Sequence, residues 1–380
     1  MRGFNFFSKF VIIGMLLFAL LSFNWDRTEL EGRAFVVAIG IDAGDENNRF
    51  EVSMSIADVA AMEGEGGAED VAVLRVASGQ SLAYAMGQIN AKISDTVYYG
   101  HTKAVVLGES ILTDEGLLLE VVDTLSRKND INIKCIVMAT DGPAKDILAA
   151  KPREQSLLGV YLSGFYNSNS VNTAASVVKL DLEGLTEGLR DTACAVIPKV
   201  AIEDEEVVIS GVAVLKDFTL AGHIPDEDMA GFLWLMENAA GAQVAVETTG
   251  NGLPTPITLL VQQSKAKFAF DAADGRLFCA IKLRAEGSIE GARFMDDHLY
   301  DAQTMQQLQN DFANTIRDEI LDILHVFQGD FGVDGFNLRN LLHKKDHRLF
   351  QAFLPWQAAF EDMVFSVDVD VLIRNAGPVK

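Results

Sequence analysis

Apolar residues recur along this chain with two periods: runs that alternate or stay continuously apolar read as strands, and stripes spaced three and four residues apart read as helices. Phe35–Asp42 is a continuous apolar run and predicts a buried strand. Phe50–Val59 alternates, with Phe50, Val52, Met54 and Ile56 on one side, and a turn at Asp45–Asn48 makes the two runs a hairpin. Val71–Val76 reads as a third strand. Ser78 is expected to cap a helix from Ser81 to about Ile93, with Leu82, Ala85, Met86 and Ile89 on its apolar face. A strand at Lys103–Leu107 precedes a helix at Asp114–Arg127, in which Leu117, Leu118, Val121, Val122 and Leu125 point inward. A strand at Ile131–Ala139 and a helix at Ala144–Ala150 follow. This β-α-β-α-β order predicts a mixed sheet with helices packed on it. Leu157–Asp181, punctuated by Gly, Asn and Ser, starts with a short helix, and the segment closes near Ile197-Pro198.

Downstream, Val207–Leu215, Phe218–Ala221 and Met229–Glu237 predict a compact β-β-α module, extended by strands at Gln243–Glu247 and Pro256–Gln263. Lys265–Phe270 and Leu277–Ala285 flank a turn at Asp274-Gly275 and form a hairpin. A long amphipathic helix runs from about Thr304 to Phe327, striped by Leu308, Phe312, Ile316, Ile320, Ile323 and Phe327. The last strand, Met363–Ile373, sets Val364, Ser366, Asp368 and Asp370 against Phe365, Val367, Val369 and Val371. The expected fold class is α+β: three domains with mixed and antiparallel sheets and packed helices, preceded by an N-terminal hydrophobic signal or anchor helix. Their bounds are 1–24 for the signal or anchor segment, 25–197 for a mixed α/β domain, 198–251 for a small β-β-α domain, and 252–380 for a domain with the long helix and a sheet.

The N terminus sets the compartment. Arg2 and Lys9 precede Phe10–Phe23, which is apolar except for Gly14 and Ser22. A basic region followed by an apolar one is the plan of a secretory signal, and it places the body outside the cytoplasm. Leu21-Ser22-Phe23-Asn24-Trp25 is too bulky for a small-residue cleavage site. The strict apolar run is short for a membrane span, but it lengthens through Phe7, Phe6 and Phe4 when Lys9 snorkels toward the cytoplasm. With 54 acidic against 31 basic residues the formal net charge is −23, which disfavours nucleic-acid backbones and anionic headgroups as partners.

Candidate chemistry is sparse. The chain has three cysteines, an odd number with no CxxC; Cys135, Cys194 and Cys279 lie in short apolar runs that read as strands, where a thiol behaves as a small buried hydrophobe. Gly64-x-Gly66-Gly67 lies in the acidic loop Ala61–Asp70 with no basic residue beside it, and so does not read as a phosphate cradle. His343-x-x-x-His347 puts two imidazoles on one face of a helix, but Lys344 and Lys345 intervene and neither the glutamate nor a third ligand of a zinc site is present. His101 precedes an apolar strand and reads as a turn residue rather than a base; Asp296-Asp297-His298 reads as the exposed lead-in to the long helix. No G-x-S-x-G, P-loop or Cys/His dyad occurs. No catalytic, cofactor-binding or metal residue is assigned, and no cofactor is expected.

Local signatures, in the same order over nearly the whole chain, resemble the Ger(x)C-type spore germination proteins, the C subunits of spore germinant receptors. Trp25-Asp26-Arg27-Thr28-Glu29-Leu30 is similar to the Trp-Asp-Arg-x-Glu-Leu that follows the family's lipid-modified cysteine, and Gly40-Ile41-Asp42 to its first-strand ending. Gly100-His101-Thr102-Lys103 with Val105-Val106-Leu107-Gly108-Glu109 resembles its His-x-Lys-x-(apolar)-Gly-Glu segment. Ser210-Gly211-Val212-Ala213-Val214-Leu215-Lys216 and Phe232-Leu233-Trp234-Leu235 resemble its central strand and helix, and Trp356, Phe360 and the last strand through Gly377 its closing stretch. The resemblance implies a non-enzymatic, membrane-tethered subunit on the outer face of the spore inner membrane. It would work in nutrient-triggered germination with two multi-pass partners, A and B, which sense nutrients and pass the signal as ion release. One position departs from the pattern: Asn24 stands where the lipidated cysteine is expected, so the N-terminal helix replaces the lipid as tether or the protein is released. Trp25, Asp26 and Arg27 are the expected membrane-proximal interaction residues. The alternative is an independent extracytoplasmic small-ligand-binding protein, for which Tyr98, Tyr99, Tyr161, Phe165 and Tyr166 would line an aromatic pocket.

Overall fold

The computed structural model describes residues 32–57, 71–152, 157–166, 178–236, 239–250, 253–292 and 302–375. The N-terminal apolar stretch, Asn24, Trp25–Arg27, the acidic glycine loop and Asp296–His298 lie outside the described residues.

The first half of the chain alternates strands and helices. Strands β1 (Arg33–Ala43), β2 (Phe50–Ala57) and β3 (Ala72–Gly79) are antiparallel neighbours, followed by α1 (Leu82–Asn90), β4 (Thr96–Tyr98), β5 (Ala104–Gly108), α2 (Glu109–Leu112) and α3 (Glu115–Arg127). Then come β6 (Ile136–Thr140), α4 (Ala144–Ala149), α5 (Leu158–Gly164), α6 (Leu182–Thr192), β7 (Ala195–Glu203), β8 (Glu206–Lys216) and β9 (Thr219–Ile224). They form one nine-stranded sheet in the order β3-β2-β1-β5-β6-β7-β8-β9, with β4 beside β1. The pairs β1–β5 and β5–β6 are parallel. Both faces of these central strands are covered, which is why they read as continuous apolar runs. Val105 and Leu107 join Leu82, Leu118 and Leu185 on one face; Ala104 and Val106 join Ile147, Leu158 and Leu162 on the other. Strand β7 pairs with β6 through Ala139 and Lys199 and with β8 along its length, so the sheet runs on across the expected boundary at 197/198.

The second half begins with α7 (Ala230–Leu235) and builds a four-stranded sheet from β10 (Gln243–Gly250), β11 (Leu253–Ala273), β12 (Arg276–Ala292) and β13 (Val364–Asn375). Between β12 and β13 lie α8 (Ala302–His325), α9 (Leu338–Lys345), α10 (His347–Ala352) and α11 (Trp356–Glu361). The stripe of α8 is buried at Leu308, Phe312, Ile316, Ile320 and Ile323, and the Phe327 that follows the helix is buried as well. In β13, Ser366, Asp368 and Asp370 are exposed, whereas Phe365, Val367, Val369 and Val371 pack against the core.

Several elements differ from the sequence reading, each for a local reason. The cap of α1 is Ser81, whose side chain accepts the Tyr84 N–H at 3.2 Å; Ser78 instead pairs with Glu51 in the β2–β3 ladder. The strand expected at Ile131–Ala139 begins only at Ile136, because the Asn132 side chain accepts the Lys134 N–H at 3.0 Å and closes a turn. Cys135 and Cys194 therefore precede strands, and Cys279 alone of the three is in one; all three are buried. Pro256–Gln263 and Lys265–Phe270 are one strand, β11, whose register shift between Val261 and Gln263 absorbs the polar break. Strand β10 pairs with β11 and does not extend β8–β9. The hairpin turn at Asp274-Gly275 stands, with φ of 51° and 77°, the left-handed pair that joins twisted strands over two residues. Helix α6 escaped the reading altogether, although Asp181 caps it at Gly184 N–H (2.8 Å) and Leu182, Leu185 and Leu189 form its stripe.

Helices α7 and α8 meet through a half-buried polar contact: Trp234 Nε1 donates to Glu319 Oε2 at 2.7 Å. Burial raises the Glu319 carboxyl above its ordinary value of 4.5, the Trp234 hydrogen bond offsets part of the rise, and Asp322 adds to it. The folded protein thus keeps this proton where the unfolded chain has lost it, so the stability Glu319 contributes falls as pH rises from about 4.5 through the folded-state value. Glu319→Gln keeps an acceptor for Trp234 and removes the charge. It is expected to melt higher than the parent at pH 7 and close to it at pH 4, in thermal unfolding followed across that range.

Candidate functional site

Two signatures of the first half, Gly40-Ile41-Asp42 and Gly108-Glu109, converge on the carboxyl ends of the parallel strands. Asp42, at the end of β1, is buried and accepts the Ala144 N–H at 2.7 Å and the Lys145 N–H at 3.1 Å, so it caps α4 from a distant strand. Gly108 permits this placement, since a Cβ there would lie 2.0 Å from Asp42 Oδ1. Ser110 Oγ accepts the Ala43 N–H at 3.0 Å and ties α2 to the same strand end. Burial pushes the Asp42 carboxyl up from its ordinary value, against the two N–H donors that lower it, with Glu51 and Asp146 adding to the rise. The Gly-Ile-Asp and Gly-Glu signatures are therefore two sides of one clasp.

Beside the clasp is a polar bridge that the sequence reading missed. Lys199 of β7, almost wholly buried, places Nζ 2.9 Å from Asp141 Oδ2. His223 of β9 places Nε2 3.5 Å from Asp141 Oδ1 and 3.9 Å from Glu109 Oε1. These contacts fasten β7 and β9 to the ends of β5 and β6. The available signal was Lys199 itself, a lone charge inside the apolar run Val196–Ile202. Among the described residues no group of three or more His, Cys, Asp and Glu side chains could hold a metal ion.

The opposite end of β1 receives the chain from the N-terminal segment, and aromatic rings gather there. Phe35 packs edge-on to Tyr98 (5.8 Å between centroids) and to His101 (5.2 Å), and the Arg33 guanidinium lies 5.2 Å from the Tyr98 centroid. His101 sits in a turn closed by the Thr102 N–H on the Tyr99 carbonyl at 2.9 Å. Next to it, Thr102 is buried, with its hydroxyl on the Val36 carbonyl at 3.4 Å. Phe35 and Tyr98 are half-buried and His101 is exposed.

The other candidates come apart. His343 closes α9 and His347 opens α10, the two helices being separated at Asp346, which caps the second; the rings meet edge-on at 4.9 Å and both pack against Phe350. The Cys135 and Cys279 thiols are pushed up to about 12 by burial and Cys194 is raised for the same cause, so these are unreactive thiols. Tyr99 is buried with its hydroxyl donating to Asn90 Oδ1 at 2.8 Å, and Tyr161 donates to the Val207 carbonyl at 3.0 Å while its ring meets Phe165. A cavity of about 330 Å³ does lie between α6 and the 333–337 segment with the first turn of α9, where Arg339 Nη1 is 3.8 Å from Asp191 Oδ2, but none of the five candidate aromatics lines it. In the second half Phe232, Trp234, Trp356 and Phe360 are buried in one core. The signature residues that the structure describes are thus mostly determinants of packing.

Known proteins share this arrangement. Residues 26–202 match the family model described as spore germination protein N-terminal domain, and residues 210–377 the one described as spore germination B3/GerAC like, C-terminal. Spore germination protein KC of Bacillus subtilis (strain 168) is 24% identical over 319 residues, 74% of each chain. Spore germination protein YndF of the same organism is 20% identical over 398 residues, 97% of each chain. The crystal structure of the GerBC protein superposes with a TM-score of 0.61 at 15% identity, covering 89% of this chain and 97% of that one, which establishes the shared α+β fold. With both family segments in tandem over almost its whole length, this chain belongs to the family of spore germinant receptor C subunits.

Proposed function

We propose that the protein is a non-enzymatic subunit of a germinant receptor, held on the outer face of the spore inner membrane by its N-terminal apolar helix and assembled with two multi-pass partners, A and B. The observation that carries this reading is the tandem family match from residue 26 to residue 377, which leaves little of the chain for an additional module. The aromatic end of β1 supports the orientation. Residues 24–32, which separate the apolar run from β1, reach ~30 Å at most when fully extended. That reach favours an orientation in which the end bearing Arg33, Phe35, Tyr98 and His101 faces the bilayer, with Trp25-Asp26-Arg27 between the apolar run and that end in sequence. Tryptophan suits that level because its ring is apolar and its N–H can meet headgroups or a partner.

The test is co-purification from spore membranes with the tagged full-length protein, alongside the Trp25→Ala/Arg27→Ala double variant. The parent is expected to bring down two multi-pass proteins. The double variant is expected to melt normally and to lose most of that recovery. If it assembles like the parent, the segment does not orient the body; if no multi-pass protein elutes with the parent, the receptor-subunit reading fails.

A further inference from the structure

Strand β11 changes character at Val261. Up to Leu260 it lies between β10 and β12, and the Gly241 N–H and Val261 N–H close the ladder with β10. From Gln262 to Ala273 its only strand partner among the described residues is β12, and no strand among those residues pairs with its outer edge. That edge borders a cleft of about 710 Å³, with Leu235, Met236 and Phe268 among its apolar walls and Lys267, Lys282 and Lys345 around it.

Two features of the cleft point to an occupant. The first is charge. Lys267 and Lys282 are directly opposite each other in the β11–β12 register, an arrangement of like charges that destabilises a sheet. Both are exposed, as is Lys345, and none of the three makes an ion pair among the described residues. Asp368 lies beside Lys282 in β13 and offsets part of that charge. In a chain of net charge −23, three lysines around one apolar cleft, with no carboxylate in an ion pair with any of them among the described residues, form a local field complementary to an anion. The second feature is the backbone. Lys345 Nζ bonds the Phe268 carbonyl from outside the sheet, so that carbonyl faces the unpaired edge. The N–H and C=O of a strand residue point the same way and alternate along the strand, so Ala266, Phe268 and Phe270 present both groups outward. Apart from the Phe268 carbonyl, which Lys345 holds and an added strand would take over, these backbone donors and acceptors have no partner among the described residues and form a template for another strand.

We infer that this cleft takes an extended acidic segment of a partner protein, which adds as a strand to β11 and sets its carboxylates against Lys267, Lys282 and Lys345. An anionic lipid surface would satisfy the lysines but has no backbone to pair with the edge, so the free ladder decides for a polypeptide. The inference rests on the cleft alone and stands or falls separately from the identity of the receptor partners.

The test uses the full-length protein in neutral detergent and a fluorescent peptide of about ten residues, long enough for one strand, that alternates glutamate and valine. Anisotropy is expected to show saturable binding, and Lys267→Glu/Lys282→Glu to weaken it at least roughly tenfold. Lys92→Glu/Lys103→Glu, which changes the net charge equally at exposed positions away from the cleft, is expected to leave it unchanged. Hydrogen exchange at the Ala266, Phe268 and Phe270 amides is expected to slow when the peptide binds. Equal losses in both double variants would reduce the effect to bulk charge and overturn the inference. Binding without slowed exchange at those amides would overturn strand addition. A preference for phosphatidylglycerol over phosphatidylcholine vesicles that disappears in Lys267→Glu/Lys282→Glu, with peptide binding intact, would make the patch a lipid contact instead.

Discussion

Deletion of residues 1–24 is expected to move the protein from the membrane fraction to the soluble fraction without lowering its melting temperature. The segment holds the apolar run Phe10–Phe23, whose Phe, Val, Ile and Leu residues favour the membrane by on the order of 5 kcal/mol in total, roughly a thousandfold or more in partition. Among the described residues nothing replaces it. Asn24 offers no thiol for a diacylglyceryl thioether, the net charge of −23 gives no polybasic attachment, and no helix among the described residues is long and apolar enough to cross a membrane. The fold should not notice the loss, because β1 starts at Arg33 and the first core residue among those described is Ala34. Fractionation of the deleted and full-length proteins checks the partition, and mass spectrometry of the mature N terminus checks its premise. A native chain that begins near residue 24, or carries a lipid, would show that the uncleaved helix is not the tether.

Gly231→Ala is expected to destabilise the protein by about 3 kcal/mol, the upper range for overpacking. Gly231 lies in α7 where it crosses α8, and a Cβ there would sit 2.0 Å from the Glu319 carbonyl oxygen and 2.7 Å from Ile323 Cγ2. A backbone oxygen cannot step aside as a flexible side chain can. The two helices must separate, which stretches the Trp234–Glu319 hydrogen bond and loosens Phe232, buried between them and the rings of Phe327 and Phe336. The same substitution at Gly87, an exposed position of α1 with nothing within 4 Å of the added carbon, is expected to stabilise by about 1 kcal/mol, because alanine is the better helix former. Urea unfolding of both variants beside the parent measures the pair. Equal midpoints for Gly231→Ala and the parent would mean that the α7–α8 crossing is not the tight joint described. Because that crossing joins the segment after β9 to the second sheet, its loosening is expected to disturb the whole second half.

The periodic elements were legible because burial follows period. The stripes of α1, α3 and α8 and the two faces of β13 each follow from local spacing, and each is buried on the side the spacing specified; in β2 the alternating Phe50, Val52, Met54 and Ile56 are buried, but so are Ser53 and Ser55 on the other side. Reading failed where a short polar contact outweighed a longer apolar run, as at Asn132 before β6, or where an apolar stripe was interrupted by glycine and acid, as in α6. His343 and His347 share a helical spacing, yet Asp346 captures the N–H groups of Arg348 and Leu349 and starts a new helix between them.

Membership in the germinant-receptor family was legible in the sequence, since short signatures keep their order along the chain whatever their purpose. Their purpose was not legible. That Asp42 caps α4, that Gly108 exists to make room for it, and that Lys199 and His223 share Asp141 are facts about residues far apart in the chain, with Asp42 and Ala144 separated by 102 positions. The acidic composition suggested a molecule with no anion-seeking surface. Only strand pairing put Lys267 opposite Lys282, and only the fold of α9 brought Lys345 to the same unpaired edge. Net charge sums over the chain, whereas a field is set by which charges the fold brings together and which it leaves without a partner.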